Sequence, residues 1–123
     1  MMKNNTNHKR YELGNWREYA IQSWWAHIYV GGDINTAQAK CRELCFPDGL
    51  CVTIEPVEYY YAGGSESGYR IGLIQYPPFP ESEDDLYDNA VIVGRSVAEA
   101  NYQWSFTIVT PHGNFFHSRK INR

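Results

Sequence analysis

Apolar and polar positions change period several times along this chain, and each change marks an element. Residues 24 to 31, WWAHIYVG, are dense in aromatic and β-branched side chains and run into Gly31-Gly32, as a strand entering a turn does. Asp33 follows in the place of a helix N-cap, and Ile34, Ala37, Cys41, Leu44 and Cys45 recur at helical spacing until Pro47-Asp48-Gly49 stops the run. In LCVTIEP, residues 50 to 56, Leu50, Val52 and Ile54 alternate with Cys51, Thr53 and Glu55. Pro56 has no N–H to give to a ladder, so it predicts an edge or a bulge. Beyond it Val57, Tyr59 and Tyr61 fall at odd positions, and a switch of the buried face at Pro56 would explain that.

AGGSESG, residues 62 to 68, reads as a hairpin loop longer than the tight two-residue kind, and YRIGLIQY, residues 69 to 76, as a central partner strand ended by PPFP. A second helix is signposted by Ser82 as N-cap, by Glu83, Asp84 and Asp85 in its first turn, and by an apolar stripe through Leu86, Ala90, Val93 and Val97. Val91 and Ala98 widen that stripe, which suits a helix lying flat on a sheet. Trp104, Phe106 and Ile108 then alternate with Ser105, Thr107 and Val109, PHGN is a turn, and FFHSR closes as a short strand. Residues 15 to 23 suggest only a short turn of helix.

The element order is strand, helix, strand, strand, helix, strand. It predicts an α+β fold, the ferredoxin-like βαββαβ sandwich with a C-terminal β-hairpin extension, as a single domain over residues 15–123 behind a disordered polar and basic tail at residues 1–14. In that fold two helices cover one sheet face and leave the other for solvent, a partner or a ligand.

Composition narrows the classes of function. The 123 residues, 43% hydrophobic and 20% charged, suffice for one core. No apolar run approaches the roughly 20 residues of a membrane span, and the first residues do not look like a signal peptide, so a cytoplasmic protein with no membrane partner is expected. Residues 1–10 hold Lys3, Lys9 and Arg10 and no acid, leaving 8 basic residues against 14 acidic ones in the remainder, a balance of −6. A nucleic-acid partner is disfavoured by that balance, and RIGLIQY also lacks the interior aromatics of an RNA-recognition strand. Cys41 and Cys45 share a helix face as small hydrophobes, and with Cys51 they match no metal spacing.

Motifs for common chemistries are missing: no phosphate-binding P-loop, no dinucleotide fingerprint, no nucleophile elbow, no zinc-protease helix. The acids from Glu81 to Asp85 are explained by the start of a helix. His27, His117 and Glu66 are the acid or base candidates if the chain is a small enzyme. No catalytic residue, cofactor or metal is assigned.

The hairpin over residues 59 to 76 is the most suggestive surface. Gly63, Gly64 and Ser65 could present consecutive N–H groups as an anion nest, Arg70 could add a bidentate donor, and Tyr59, Tyr60, Tyr61 and Tyr69, with Tyr76 at the strand exit, offer flat faces and hydroxyls. Alternation puts Tyr59 with Tyr61 and leaves Tyr60 on the opposite side. Tyrosine and arginine are also the residues that interfaces favour, so a homo-oligomer is expected.

The segments GLCVTIEP, Y-x-Y-x-G-G-x-E-x-G from Tyr59 to Gly68, and GLIQYPPFP resemble a family of small uncharacterised bacteriophage-encoded proteins, over about residues 26 to 119. That resemblance implies an accessory protein acting against host defence in the host cytosol. It also implies a nucleotide signal as ligand, with Trp104 or the tyrosines stacking a base and Arg70, Arg95 or Arg119 meeting phosphates. The leading expectation is therefore a non-enzymatic protein that sequesters a small anionic ligand such as a nucleotide. The alternatives are a module that inhibits a host defence protein, and a small enzyme.

Overall fold

WAHIYVG buries every second side chain, and that alternation places the sheet: Ala26, Ile28 and Val30 point to the core while Trp25, His27 and Tyr29 face the other way. The computed structural model describes residues 12–48 and 50–119. Within them the chain forms β1 (Glu12–Leu13), β2 (Trp16–Arg17), β3 (Trp25–Gly31), α1 (Ile34–Asp48), β4 (Thr53–Tyr61), β5 (Gly64–Ile74), α2 (Glu83–Ala100), β6 (Ser105–Thr110) and β7 (Gly113–Ser118). The main sheet runs β4-β5-β3-β6-β7 with every pair antiparallel. Apart from the β7 extension this is the ferredoxin-like order, and both helices lie on one face.

The core is three apolar combs under α2. Tyr69, Ile71 and Leu73 of β5 and Phe106 and Ile108 of β6 join the β3 residues, and Leu86, Ala90, Val93 and Val97 close over them. At Gly94 α2 lies so close to the sheet that a Cβ there would overlap the Phe106 ring. α1 adds Ala37 and Cys41. Burial pushes the Cys41 thiol up to about 11, so it stays a neutral hydrophobe at ordinary pH.

Both helix starts follow the residues that predicted them. Asp33 Oδ2 accepts from the Thr36 N–H and from its hydroxyl, each at 2.9 Å, and Ser82 Oγ accepts the Asp85 N–H at 3.0 Å. Asn101, the C-cap of α2, ties the helices together. Its Oδ1 accepts the Asp33 N–H at 3.0 Å, and its Nδ2 donates at 2.8 Å to the hydroxyl of the wholly buried Tyr69.

Three local expectations are corrected, and the edge position read from Pro56 holds. The hairpin is tight, not long: Tyr61 pairs with Gly64, only Ala62 and Gly63 lie between, and Gly63 takes φ +91° as a type II turn requires. Ser65, Glu66 and Ser67 therefore belong to β5. β4 has no bulge, since its register is unbroken from Thr53–Gly72 to Tyr61–Gly64, and Pro56 is accommodated because β4 is an edge strand. Burial does change face past Pro56, for a reason outside the strand itself. Tyr60, on the helix side, is 80% exposed because the helix layer stops short of it, while Tyr59 on the other side lies against Gly68.

The last correction is at residues 15 to 23, which form no helix. Glu12–Leu13 pairs with Trp16–Arg17 around Gly14 (φ +61°), and the chain from Glu18 reaches β3 without regular structure. Of the expected tail, residues 1–11 lie outside the described residues. Among the described residues no helix is long and apolar enough to cross a membrane.

Candidate functional site

The sheet face away from the helices carries the polar side chains of the central strands, and glycines leave bare backbone between them. Tyr59 and Glu66 sit directly opposite each other on β4 and β5, near the hairpin turn. Gly31, at the end of β3, makes room for Glu66: a Cβ there would lie 2.5 Å from Glu66 Oε2 and 3.3 Å from Gln103 Oε1. Gly68 makes room for the Tyr59 ring, whose Cε2 would be 2.5 Å from a Cβ at that position. The Tyr59 hydroxyl lies 3.2 Å from the Val30 carbonyl and 3.3 Å from that of Tyr69, and it donates to this pair. Burial first, then the Tyr29 hydroxyl and the Glu66 carboxylate, raise its pKa, so it remains a neutral phenol.

One step further along the same face, Arg70 pairs with Glu55 and meets the Tyr29 hydroxyl. These contacts raise its already high pKa, with Tyr29 the larger cause, and they use donors that a bound anion would need. His27, stacked on Trp25 at 4.7 Å, is held below the ordinary histidine value by burial and then by the Arg70 charge.

Gln103 links this face to a cavity of about 300 Å³ between the C-terminal half of α2 and the β6–β7 hairpin. Arg119 lies over the Trp104 ring at 5.1 Å, and its Nη2 donates to the Gln103 carbonyl at 2.9 Å. His117 stacks on Phe106 at 4.8 Å with its Nε2 3.1 Å from the Tyr87 hydroxyl, and burial followed by the Arg95 charge lowers its pKa.

The nine residues proposed from sequence therefore divide. Tyr59 and Arg70 share the open face with Glu66, and Trp104 and Arg119 line the adjoining cavity with Arg95 and His117. Tyr61 stands at the hairpin end, 56% exposed. Gly63 is in the turn, whereas Gly64 and Ser65 are strand residues whose N–H groups alternate in direction, so the expected anion nest does not form. Tyr76 lies beyond the opposite end of β5, where its hydroxyl accepts from Cys51 Sγ at 3.4 Å. Gln103 and Tyr29 were not singled out from sequence. The usable signal was a glutamate on a small-residue strand, opposite a tyrosine and near a strand-ending glycine.

No protein-family model and no curated protein matches the chain. Two solved structures share its fold. One is a phage SAM lyase in complex with S-methyl-5′-thioadenosine, 13% identical, with a TM-score of 0.61 over 82% of this chain and 93% of that one. The other is a phage SAM lyase in the apo state, 14% identical, with a TM-score of 0.56 over 81% of this chain and 92% of that one. The expectation of a non-enzymatic protein for an anionic nucleotide, or of a module that blocks a host protein, is corrected by this likeness. The shared fold is that of lyases, and the ligand held in one of them is a nucleoside thioether without phosphate.

Proposed function

We propose that this chain is a phage-encoded anti-defence enzyme, a carbon–sulfur lyase that consumes S-adenosylmethionine in the host cytoplasm at the Glu66–Tyr59 end of the sheet. The observation that carries the reading is the Glu66 carboxylate, seated over Gly31, opposite the neutral phenol of Tyr59 and beside Gln103. The shared fold with SAM lyases supports it.

The chemistry suits a site without a motif. S-methyl-5′-thioadenosine is what remains when the bond from the sulfonium sulfur to the aminobutyrate chain breaks. If neither water nor a side chain attacks and no C–H proton is removed, the nucleophile comes from the substrate. Its carboxylate oxygen attacks the γ-carbon, a C–O bond forms, and the C–S electron pair passes to sulfur, leaving the thioether and a five-membered lactone. No proton has to move.

Two opposite charges vanish in that step, so a water-poor surround lowers the barrier, and the rings of Tyr59 and Tyr29 supply a weakly polar wall. The substrate ammonium keeps its charge throughout. Glu66 binds that group, so its contact orients the chain without favouring the ground state over the transition state.

Self-association belongs to the same reading. Tyr61 and Phe116 leave aromatic surface at the open face, 56% and 70% exposed, and a second copy over it would exclude water from Glu66. A native mass spectrum showing only monomer at working concentration refutes this part.

The test is to incubate the protein with S-adenosylmethionine in heavy-oxygen water and follow products by liquid chromatography and mass spectrometry. S-methyl-5′-thioadenosine with an unlabelled lactone is expected, and Glu66→Gln should lose most of the turnover. No thioadenosine from the wild-type protein sinks the proposal, and label in the γ-hydroxyl of homoserine replaces the lyase with a hydrolase.

A further inference from the structure

At the other end of the sheet a second cavity, of about 520 Å³, opens between the first turns of α2, the start of β3 and the β6–β7 turn. That volume falls within the usual range for small-molecule sites, and the candidate site above makes no use of it. Leu86 and Ala26 are buried lining residues, and the rings of Trp24, Tyr87 and Phe115 are among its walls. Each ring is braced before any ligand arrives. Trp24 Nε1 donates to the Glu81 carbonyl at 3.3 Å, the Tyr87 hydroxyl meets His117 Nε2 at 3.1 Å, and Phe115 stands edge-on to Tyr87 at 5.3 Å.

The charge of the lining has one sign. Among the described residues Glu83, Asp84 and Asp88 reach the cavity and no lysine or arginine does, and His112 in its lining is engaged by Glu83. The start of α2 contributes a partial positive charge of roughly half a unit. Even with His112 protonated, the three carboxylates outweigh it. Aromatic faces together with excess negative charge are what an alkylated cation needs, because such an ion has no N–H to donate and is bound through ring quadrupoles and unpaired carboxylates. An anion would be repelled, and a neutral apolar guest would leave the carboxylates poorly solvated.

We infer that this cavity binds a small alkylated onium ion, a quaternary ammonium or sulfonium compound, at a site separate from Glu66. Because it stands on different residues, it does not depend on the lyase reading, and Glu66→Gln leaves it intact.

Isothermal titration calorimetry of the full chain tests it with choline and with the neutral isostere in which carbon replaces the choline nitrogen. Choline is expected to bind at least about tenfold tighter than the isostere, a factor within reach of partly desolvated cation–π contacts. Asp88→Asn, at an exposed position, and Phe115→Leu should each weaken choline by about three- to tenfold, with a cooperative melt showing that each variant is folded. Equal affinity for choline and its isostere overturns the inference, as does no heat from either at millimolar concentration. Spermidine binding tighter than choline with no response to Phe115→Leu also overturns it, since that pattern means diffuse attraction to an acidic surface.

Discussion

Gly31→Ala tests the placement of Glu66 more sharply than any change to Glu66 itself. The added methyl would lie 2.5 Å from Glu66 Oε2, whereas ordinary contact begins at 3.4 Å, so the carboxylate must withdraw by about 0.9 Å. Gln103 Oε1, at 3.3 Å, must give slightly as well. Both obstacles are ends of flexible side chains, and Gly31 does not have the positive φ that penalises alanine. The fold should therefore survive, helped by the roughly 0.4–1 kcal/mol that Gly→Ala contributes through the unfolded chain. A displacement of about 1 Å in a positioning contact costs on the order of a hundredfold in rate, or about 2.7 kcal/mol. The expected outcome is kcat/KM for S-adenosylmethionine down about a hundredfold, with a melting temperature within about 3 °C of wild type. Combining Gly31→Ala with the shorter Glu66→Asp should cost less than the two single effects together, because aspartate withdraws from the new methyl; a double-mutant cycle reads that coupling. Wild-type turnover by Gly31→Ala refutes the assignment of Glu66, and an unfolded variant refutes the account of the strand end.

Three further outcomes follow from the scaffold. Asn101→Ala strands the wholly buried Tyr69 hydroxyl and should cost about 2 kcal/mol, roughly 8 °C in the melting temperature, with Asn101→Asp recovering part by accepting from the phenol; an unchanged melt refutes the clamp. Gly94→Ala should destabilise by about 1 kcal/mol in urea although alanine favours helix by a similar amount, because its methyl overlaps the Phe106 ring; a more stable variant means that Phe106 gives way. His27 and His117 both titrate below the ordinary value of 6.5, with burial the larger cause, so below that pH the unfolded chain binds protons that the folded one refuses. Stability should be flat above about pH 7 and fall as pH drops through 6.5 toward the folded-state values. Urea midpoints across that range check it, and the double variant His27→Gln, His117→Gln should flatten the profile.

The fold was legible because its signals were local and agreed with one another. Asp33 and Ser82 cap the helices they predicted, and alternation in β3 and β6 gave the correct buried faces. Misreadings came where distant residues decide. AGGSESG has the composition of a loop, yet Gly68 and Ser67 are held in β5 by pairing with Gly31 and Glu58 across the sheet, and tertiary pairing overrode composition. The NWREYAIQS segment has helical spacing but too few residues to nucleate alone, and the short β1–β2 hairpin takes its first residues instead.

The candidate site was half legible for a chemical reason. The hairpin carries Glu66 and Tyr59 of the proposed site, but its glycines read as anion-binding donors and its arginine as a phosphate ligand, whereas Arg70 is already engaged by Glu55 and Tyr29. A search for catalytic parts looks for a nucleophile, a base and something to polarise a carbonyl. A reaction whose nucleophile, leaving group and charges all belong to the substrate needs none of these from the protein. What it needs is a bent substrate, one fixed countercharge and the exclusion of water. Glycines under Glu66 and Tyr59 can supply the first two, and they leave in the sequence only what any tight strand crossing would leave. The missing motif, read as pointing away from an enzyme, is equally what such a lyase requires. The unlabelled lactone is therefore the decisive product, because a base-activated water would put solvent oxygen where substrate oxygen is expected, and a base that removes a C–H proton would give an alkene and no lactone.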